Sequence, residues 1–262
     1  MQVVILAGGF GTRISEESYM KPKPMIEIGG MPILWHIMKK YSSHGFNEFI
    51  ICCGYKQQCI KDFFNDYFLH SSDVTFDFTN STNRMRVHKT YTEQWKVTVA
   101  DTGLNTMTGG RIKRIKKYLK PGEPFLLTYG DGLSDVDIGA LVDFHKSHGK
   151  LATLTVVDAG QRFGVIKMGK DSDRITSFRE KRDQDGNPIN GGFMVLDPKV
   201  IDYIEGDGTV FEKFPLESLA KDGELMGYHH YGFWQCMDTK KDWDNLEAIW
   251  QSGNAPWKNW ED

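Results

Sequence analysis

The chain has 262 residues, of which 40% are hydrophobic and 26% are charged, and its formal net charge is −3. This composition is typical of a globular protein with one large α/β domain or two small ones. The slightly acidic balance argues against a nucleic-acid-binding surface. Apolar stretches are shorter than a membrane span, and the first is too short for a signal peptide. The four cysteines lack metal-ligand spacing. We therefore expect reduced thiols in a cytoplasmic protein.

The first half of the chain alternates predicted strands and helices. Short apolar runs predict strands at 3–6, 49–53, 96–100 and 125–129. Amphipathic patterns predict helices at 32–41, 57–68, about 110–118 with Thr108 as its cap, and 137–147. A polar turn between two alternating segments predicts a hairpin within 71–95. This order predicts an α/β, Rossmann-like fold with a largely parallel sheet flanked by helices.

From residue 151 onward, predicted strands follow one another with short turns. They are expected at 153–157, 165–168, 175–178, 193–196 and 226–230. Short helices are expected at 200–204 and 211–220, and a longer one at 241–251. We therefore predict one continuous domain over 1–262, with a first lobe (1–150) and a smaller β-rich lobe (151–262) that extends the sheet in antiparallel or mixed fashion.

A glycine-rich segment, Gly8-Gly9-Phe10-Gly11-Thr12-Arg13, directly follows the first predicted strand. Its glycines allow backbone N–H groups to approach an anion. The segment is not a P-loop, because it lacks Gly-Lys-Ser/Thr, and Ile14 replaces the third glycine of a dinucleotide motif. In the following Lys21-Pro22-Lys23-Pro24, the prolines predict a stiff extended segment with the lysines on opposite sides. These features predict a polyphosphate site. The alternative is a tight turn with solvated charges.

Two aspartates are candidate cation ligands. Asp131 lies between two glycines after the strand at 125–129, at the sheet edge where α/β folds bind ligands. Mg²⁺ in proteins usually takes one or two carboxylates together with substrate phosphates. The alternative for Asp131 is a turn cap, and the alternative for Asp238 is a helix N-cap.

Together these segments resemble the sugar-phosphate nucleotidyltransferase family over nearly the whole chain. The matching segments are 6–13, 21–25, 28–30, 32–37, 50–56, 101–103, 107–111, 128–132 and 190–193. Ser15-Glu16-Glu17 and Met107-Thr108-Gly109-Gly110-Arg111 are similar to the cytidylyl branch, the glucose-1-phosphate cytidylyltransferases. Arg182 stands where the family usually has a proline, a departure that bears on the local loop geometry.

The resemblance implies transfer of a cytidylyl group from CTP to glucose 1-phosphate by in-line attack at the α-phosphorus, giving CDP-glucose and pyrophosphate for deoxysugar and polysaccharide synthesis. It implies that Arg13 and Lys23 are catalytic and that Asp131 and Asp238 bind Mg²⁺. Nucleotide contacts are implied for Leu6, Ala7, Gly8, Gly9, Phe10, Gly11, Thr12, Thr106, Arg111 and Gly130. Sugar-phosphate contacts are implied for Gly164, Glu180, Lys181 and Asn190.

Several alternatives stay open at this point. The donor could be UTP or dTTP, or the chain could be a non-catalytic nucleotide-binding regulatory subunit, although such a subunit would be expected to lose charged residues of the site. Arg111 could be a solvated residue in the first turn of its helix, where a cation is unfavourable. The resemblance also implies a homo-oligomer, a hexamer in this family. We expect the aromatic tail with Trp257 and Trp260 to pack on a neighbouring subunit or on the second lobe.

Overall fold

The computed structural model describes residues 1–11, 21–79, 84–158, 165–169, 172–179 and 188–261. The strands are β1 Val3–Ala7, β2 Glu27–Ile28, β3 Met31–Pro32, β4 Glu48–Cys53, β5 Ser72–Asp77, β6 Arg84–Thr90, β7 Lys96–Asp101, β8 Phe125–Tyr129, β9 Gly132–Ser134, β10 Ala152–Val157, β11 Val165–Gly169, β12 Ser172–Arg179, β13 Ile189–Leu196, β14 Leu225–His230 and β15 Trp234–Cys236. The α-helices are α1 Ile33–Ser42, α2 Gln57–His70, α3 Thr108–Arg114, α4 Ile138–His148, α5 Phe214–Lys221 and α6 Lys240–Gln251. Short 3₁₀ turns cover Lys23–Met25, Lys116–Tyr118 and Pro198–Tyr203. No helix in these described ranges is long and apolar enough to cross a membrane.

A parallel block of strands forms one end of the central sheet, in the order β8-β1-β4-β7. In β1, Val3 lies opposite Phe49 of β4 on one side and Leu126 of β8 on the other. All five residues of β1 are buried. A strand buried on both faces reads as a continuous apolar run rather than an alternating one. The predicted parallel sheet is therefore confirmed.

The second half of the chain extends this same sheet. The full order is β10-β14-β12-β11-β13-β8-β1-β4-β7, and β13 pairs antiparallel with β8, with Met194 opposite Leu127. The predicted mixed extension is therefore present, and one sheet connects the two predicted lobes. The predicted hairpin is also present, because β5 and β6 form a separate two-stranded sheet.

Helix α3 differs from its prediction. It begins at Thr108 and ends at Arg114, and the residue at its N-cap is Met107, so Thr108 does not cap the helix. Its first turn is held instead by the segment 207–209, whose carbonyl oxygens accept hydrogen bonds from the Met107 and Gly109 amides at 2.8 and 2.9 Å. A Cβ at Gly109 would lie 2.8 Å from the Thr209 oxygen. The glycine pair in this helix therefore admits a distant segment of chain.

The aromatic tail packs within its own chain. Trp257 is fully buried, its ring lies 6.2 Å from Trp250 of α6, and its indole N–H donates to His36 of α1. The Trp260 ring meets Trp35 of α1 edge-on, with centroids 5.8 Å apart. The tail thus contacts the second lobe through α6, as expected, and also α1 of the first lobe, which the sequence did not indicate.

Candidate active site

A cleft of about 540 Å³ lies beyond the carboxyl ends of β1 and β8. This is the sheet edge at which open α/β folds bind ligands. Many residues predicted to bind nucleotide, phosphate or metal line this cleft: Leu6, Ala7, Gly8, Gly9, Phe10, Gly11, Lys23, Thr106, Arg111, Gly130, Asp131 and Asp238. Gly130 packs so closely on β1 that a Cβ there would lie 2.9 Å from the Leu6 oxygen. Residues 8–11 of the glycine-rich segment, called the glycine loop below, and Asp131 thus face one cavity.

Lys23 lies at the centre of the charged part of the cleft. Its ammonium nitrogen is 2.5 Å from Oδ2 of Asp131 and 2.5 Å from Oδ1 of Asp238. Burial alone would lower the pKa of Lys23, but the two carboxylates, Asp131 first, more than offset this effect and raise it. The side chain therefore keeps its charge in a partly buried site.

Lys21 points away from Lys23, as predicted. It pairs with Glu27 at 2.5 Å, and both side chains are about half exposed. Pro22, which separates the two lysines, has an extended backbone (φ −67°, ψ 148°), and the 3₁₀ turn Lys23–Met25 with Pro24 inside it begins only after it. The backbone between the two lysines is therefore extended, as predicted, and it turns from Lys23 onward.

The two aspartates meet through a small antiparallel sheet. β15 pairs with β9 so that Cys236 lies opposite Gly132, and the Met237 amide donates to the Asp131 carbonyl oxygen at 2.8 Å. Asp131 and Asp238 therefore lie just beyond a shared pair of strand ends. Their carboxylates converge on one point in the cleft.

Asp238 is not the cap of α6. Thr239 is the N-cap, and it forms a reciprocal capping box with Asp242. The Asp242 carboxylate also accepts the Asp238 amide, at 3.1 Å. The Asp238 side chain is thereby left facing Lys23, and the interpretation of Asp238 as a helix cap is wrong.

The donor chemistry of this pair fits a hard divalent cation. Asp131 and Asp238 offer carboxylate oxygens that converge on one position now taken by an ammonium group. Mg²⁺ prefers oxygen ligands and is usually held by one or two carboxylates with substrate phosphates. A cation shared with a bound polyphosphate therefore suits this site.

Arg111 is neither solvated nor in the first turn of its helix. Its side chain is buried, with 4% exposure, and it lies in the last turn of the short α3. Its guanidinium donates to backbone oxygens at the carboxyl ends of three parallel strands, those of Gly8, Cys53 and Gly103, at 2.9, 3.1 and 2.8 Å. Burial lowers the pKa of Arg111. The expected helix-dipole cost therefore does not apply. Arg111 supports the glycine loop through its hydrogen bond to the Gly8 carbonyl oxygen.

Sequence reasoning missed part of the cleft wall. Tyr129 and Thr108 line the cleft, and both hydroxyls donate to the carboxylate of Glu212, each at 2.6 Å. Asn190, predicted to bind the sugar phosphate, donates to the Tyr129 hydroxyl at 3.4 Å. The position of Tyr129 directly before Gly130-Asp131 was an available signal. Nothing in the sequence near Glu212 indicates its contact with residues about a hundred positions earlier.

Five predicted site residues lie outside the described part of the chain: Thr12, Arg13, Gly164, Glu180 and Lys181. The same holds for Ser15-Glu16-Glu17, which supported the cytidylyl branch. Their roles stay predictions.

The family model described as "Nucleotidyl transferase" matches residues 2–239. The chain belongs to this nucleotidyl transferase family. It is 57% identical over 261 residues to the glucose-1-phosphate cytidylyltransferase of Salmonella typhi, with all of both chains covered. It is 46% identical to a probable glucose-1-phosphate cytidylyltransferase of Bacillus subtilis, covering 99% of this chain and all of the other.

Solved structures agree with this family at the level of the fold. The crystal structure of HddC from Yersinia pseudotuberculosis matches with a TM-score of 0.73 and 25% identity, covering 95% of this chain and 99% of that one. A putative glucose-1-phosphate thymidylyltransferase from Bacillus anthracis matches with a TM-score of 0.75 at 17% identity, covering 100% and 98%. The second likeness concerns the fold alone.

Proposed function

We propose that this nucleotidyltransferase transfers a cytidylyl group from CTP to α-D-glucose 1-phosphate, releasing pyrophosphate and forming CDP-glucose. The observation that carries the choice of substrates is the 57% identity, over the full length of both chains, to a glucose-1-phosphate cytidylyltransferase. The cleft supports the type of reaction, because it combines a glycine-rich loop with a lysine and two carboxylates. CDP-glucose made here would enter deoxysugar and polysaccharide synthesis.

Charge neutralisation and positioning are the main requirements of this chemistry. The attacking phosphate oxygen of glucose 1-phosphate is negatively charged, and so are the oxygens around the α-phosphorus of CTP. The two phosphates therefore repel each other unless cations lie between them. The glycine loop, with its backbone amides, binds the triphosphate, and Arg13 balances the charge that grows on the leaving pyrophosphate. Lys23 binds the α-phosphate and the sugar phosphate together, which brings nucleophile and phosphorus into line.

Asp131 and Asp238 hold Mg²⁺ in this proposal. Bound there, Mg²⁺ would supply positive charge that offsets the negative charge of the reacting phosphates. In the structure both carboxylates are paired with Lys23. Lys23 therefore turns from the carboxylates toward the phosphates when both substrates bind.

The second substrate occupies the β13 side of the cleft. The glycine loop follows β1, and β8 separates β1 from β13. Asn190 of β13, together with Gly164, Glu180 and Lys181, is proposed to bind glucose 1-phosphate. We also propose a homo-oligomer. Light scattering of the purified protein would reveal it as a mass that is a whole-number multiple, greater than one, of the 30.0 kDa of one chain.

A nucleotide panel tests the proposed reaction. The purified protein is incubated with Mg²⁺, glucose 1-phosphate and CTP, UTP, dTTP, ATP or GTP, and pyrophosphate release is followed together with the mass of the sugar nucleotide. We expect the largest kcat/KM with CTP. A preference for UTP or dTTP would overturn the choice of base. No turnover with any donor would favour a regulatory nucleotide-binding subunit.

A further inference from the structure

Glu212 makes short contacts in the cleft wall to which the proposed reaction assigns no role. It follows Phe211, which is fully buried, and precedes α5. Its two carboxylate oxygens accept hydrogen bonds from two different parts of the fold, Tyr129 at the end of β8 and Thr108 at the start of α3. A carboxylate that accepts two hydroxyl donors is well suited to fixing both of them.

The backbone around Glu212 is held in place by helix α3. The Met107 and Gly109 amides bond to Asp207 and Thr209, and the Asp207 carboxylate pairs with Arg114 at 2.5 Å. A Cβ at Gly110 would lie 2.6 Å from the backbone of Asp207, so this approach needs glycine. The segment that carries Glu212 is therefore docked at many points, and its carboxylate has a defined position.

The hydrogen bonds form a chain that includes two residues of the cleft wall, Thr108 and Tyr129. The Phe211 amide donates to the Thr108 hydroxyl at 2.9 Å, and Thr108 donates to Glu212. Glu212 also accepts from Tyr129, whose hydroxyl in turn accepts from the Asn190 amide. Burial, with the nearby Glu212 carboxylate, raises the pKa of Tyr129 above its ordinary value, which keeps the phenol protonated as a donor.

Two further contacts fix Tyr129 and Asn190. The Tyr129 ring packs against Gly192, where a Cβ would lie 2.6 Å from the ring. The Gly192 amide donates to the Asn190 side-chain oxygen at 2.9 Å, so the amide nitrogen of Asn190 must be the group that faces Tyr129. The Gly192 amide thus selects one orientation of the Asn190 amide. Because the Tyr129 O–H bond is directed at Glu212, the Tyr129 oxygen is left to accept from the Asn190 nitrogen.

We propose that Glu212 is a positioning residue for the second substrate: its carboxylate fixes the Tyr129 hydroxyl, and through it the Asn190 amide, on the β13 side of the cleft. This inference rests on the proposed function, because the substrate that enters on that side is then the sugar phosphate. The triphosphate end of the cleft, at the glycine loop, lies on the opposite side of β8. Loss of the Glu212 carboxylate should therefore raise the KM for glucose 1-phosphate more than the KM for CTP.

Steady-state kinetics of four variants test the inference. In Glu212→Ala we expect the KM for glucose 1-phosphate to rise about tenfold, the cost of one hydrogen bond to a charged group, while the KM for CTP and kcat change by less than about threefold. Tyr129→Phe should show the same selective rise. The double variant should be no worse than the poorer single variant, because both remove one link. Glu212→Gln should recover most of the loss, since its oxygen can accept from Tyr129 and its amide can donate to Thr108.

Glu217→Ala is the matched control, because Glu217 is an exposed glutamate five residues further along, in α5. This variant should retain the kcat of the wild type and its KM for both substrates. An unchanged KM for glucose 1-phosphate in Glu212→Ala or in Tyr129→Phe overturns the inference, as does equal damage in Glu212→Gln and Glu212→Ala. If Glu212→Ala does not fold, Tyr129→Phe decides. The wild type is assayed first, and its failure to make CDP-glucose would contradict the proposed function. An active wild type together with variants whose KM for glucose 1-phosphate is unchanged would contradict only the role of Glu212.

Discussion

The ammonium nitrogen of Lys23 lies 2.5 Å from a carboxylate oxygen of Asp238, a residue 215 positions later in the chain. The contact joins a proline-bounded turn after the glycine loop to the residue before the N-cap of the last helix. The same lysine pairs with both carboxylates that are proposed to hold the metal. In the proposed reaction, binding of substrates and metal therefore rearranges one cluster of charges.

Replacing Lys23 by alanine should reduce kcat by about 10²–10³-fold, because the proposed mechanism then loses a preorganised charge that neutralises the reacting phosphates. Lys21→Ala is a close control, since Lys21 is two residues away, carries the same charge and pairs with Glu27 at the surface. It should keep kcat within about twofold of the wild type, as surface ion pairs contribute little. Equal kcat values for Lys23→Ala and wild type would contradict the role of Lys23 in catalysis.

Asp131→Asn and Asp238→Asn should each lower turnover by orders of magnitude and weaken the dependence on Mg²⁺. The reason is that a neutral amide is a poorer ligand for Mg²⁺ than a carboxylate. Thermal unfolding gives a second measurement: Mg²⁺ with a non-hydrolysable CTP analogue should raise the Tm of the wild type and raise it less in either variant. Asp143→Asn, an exposed position in α4, is the control and should respond like the wild type. Equal Tm shifts in all four proteins would argue against a metal at this pair.

Gly8→Ala should destabilise the fold, whereas Gly9→Ala should not. A Cβ at Gly8 would lie 2.1 Å from Nη1 of Arg111, and nothing lies within 4 Å of a Cβ at Gly9. Arg111 is buried and bonded to several backbone oxygens, so it cannot move without breaking those bonds. Overpacking of this kind costs about 1–3 kcal/mol, and Tm falls by about 2–4 °C per kcal/mol in a protein of this size. Thermal unfolding monitored by circular dichroism measures the difference; a Gly8→Ala midpoint equal to that of Gly9→Ala would refute the clash.

The parallel half of the fold could be predicted because its strands are buried on both faces and read as apolar runs. The carboxyl ends of β1 and β8 then identify one edge of the sheet, so the glycine loop and Asp131 could be assigned to one cleft. Asp238 could not be assigned in this way. The strands that bring it there, β9 and β15, have three residues each, and a pattern that short has no measurable period.

Thr108 shows a second limit of prediction from sequence. A threonine before a helical pattern is a common N-cap, and local preference favours that role. Here the hydroxyl bonds to Glu212, which is 104 residues away, and the helix begins one residue earlier than a cap at Thr108 would allow. Tertiary contacts override local preference at positions where the chain meets a distant segment, and such segments cannot be identified from one sequence.

The stability of the protein should fall as the pH drops from 6.5 to 4, because two buried histidines are neutral in the fold. Burial lowers the pKa of His36 to about 4, against the opposing effect of the backbone oxygens of Ile28 and Met31. The Nε2–H of His36 faces the Ile28 oxygen, and Nδ1 accepts from Trp257, so a second ring proton would oppose the indole N–H. Burial also lowers the pKa of His145 to about 4. The unfolded chain binds protons at ordinary histidine pKa values near 6.5, so it holds more protons than the fold between pH 4 and 6.5.

Urea unfolding at pH 7.5, 6.5, 5.5 and 4.5 measures this effect. The full contribution of each histidine is present above pH 6.5, and its loss by pH 4 is on the order of 3 kcal/mol. His36→Gln removes one titrating group, so the slope of the free energy of unfolding against pH should fall by up to about 1.4 kcal/mol per pH unit within this window. A wild-type slope of zero between pH 6.5 and 4.5, or equal slopes in His36→Gln and wild type, would mean that His36 accepts its proton in the fold as readily as in the unfolded chain.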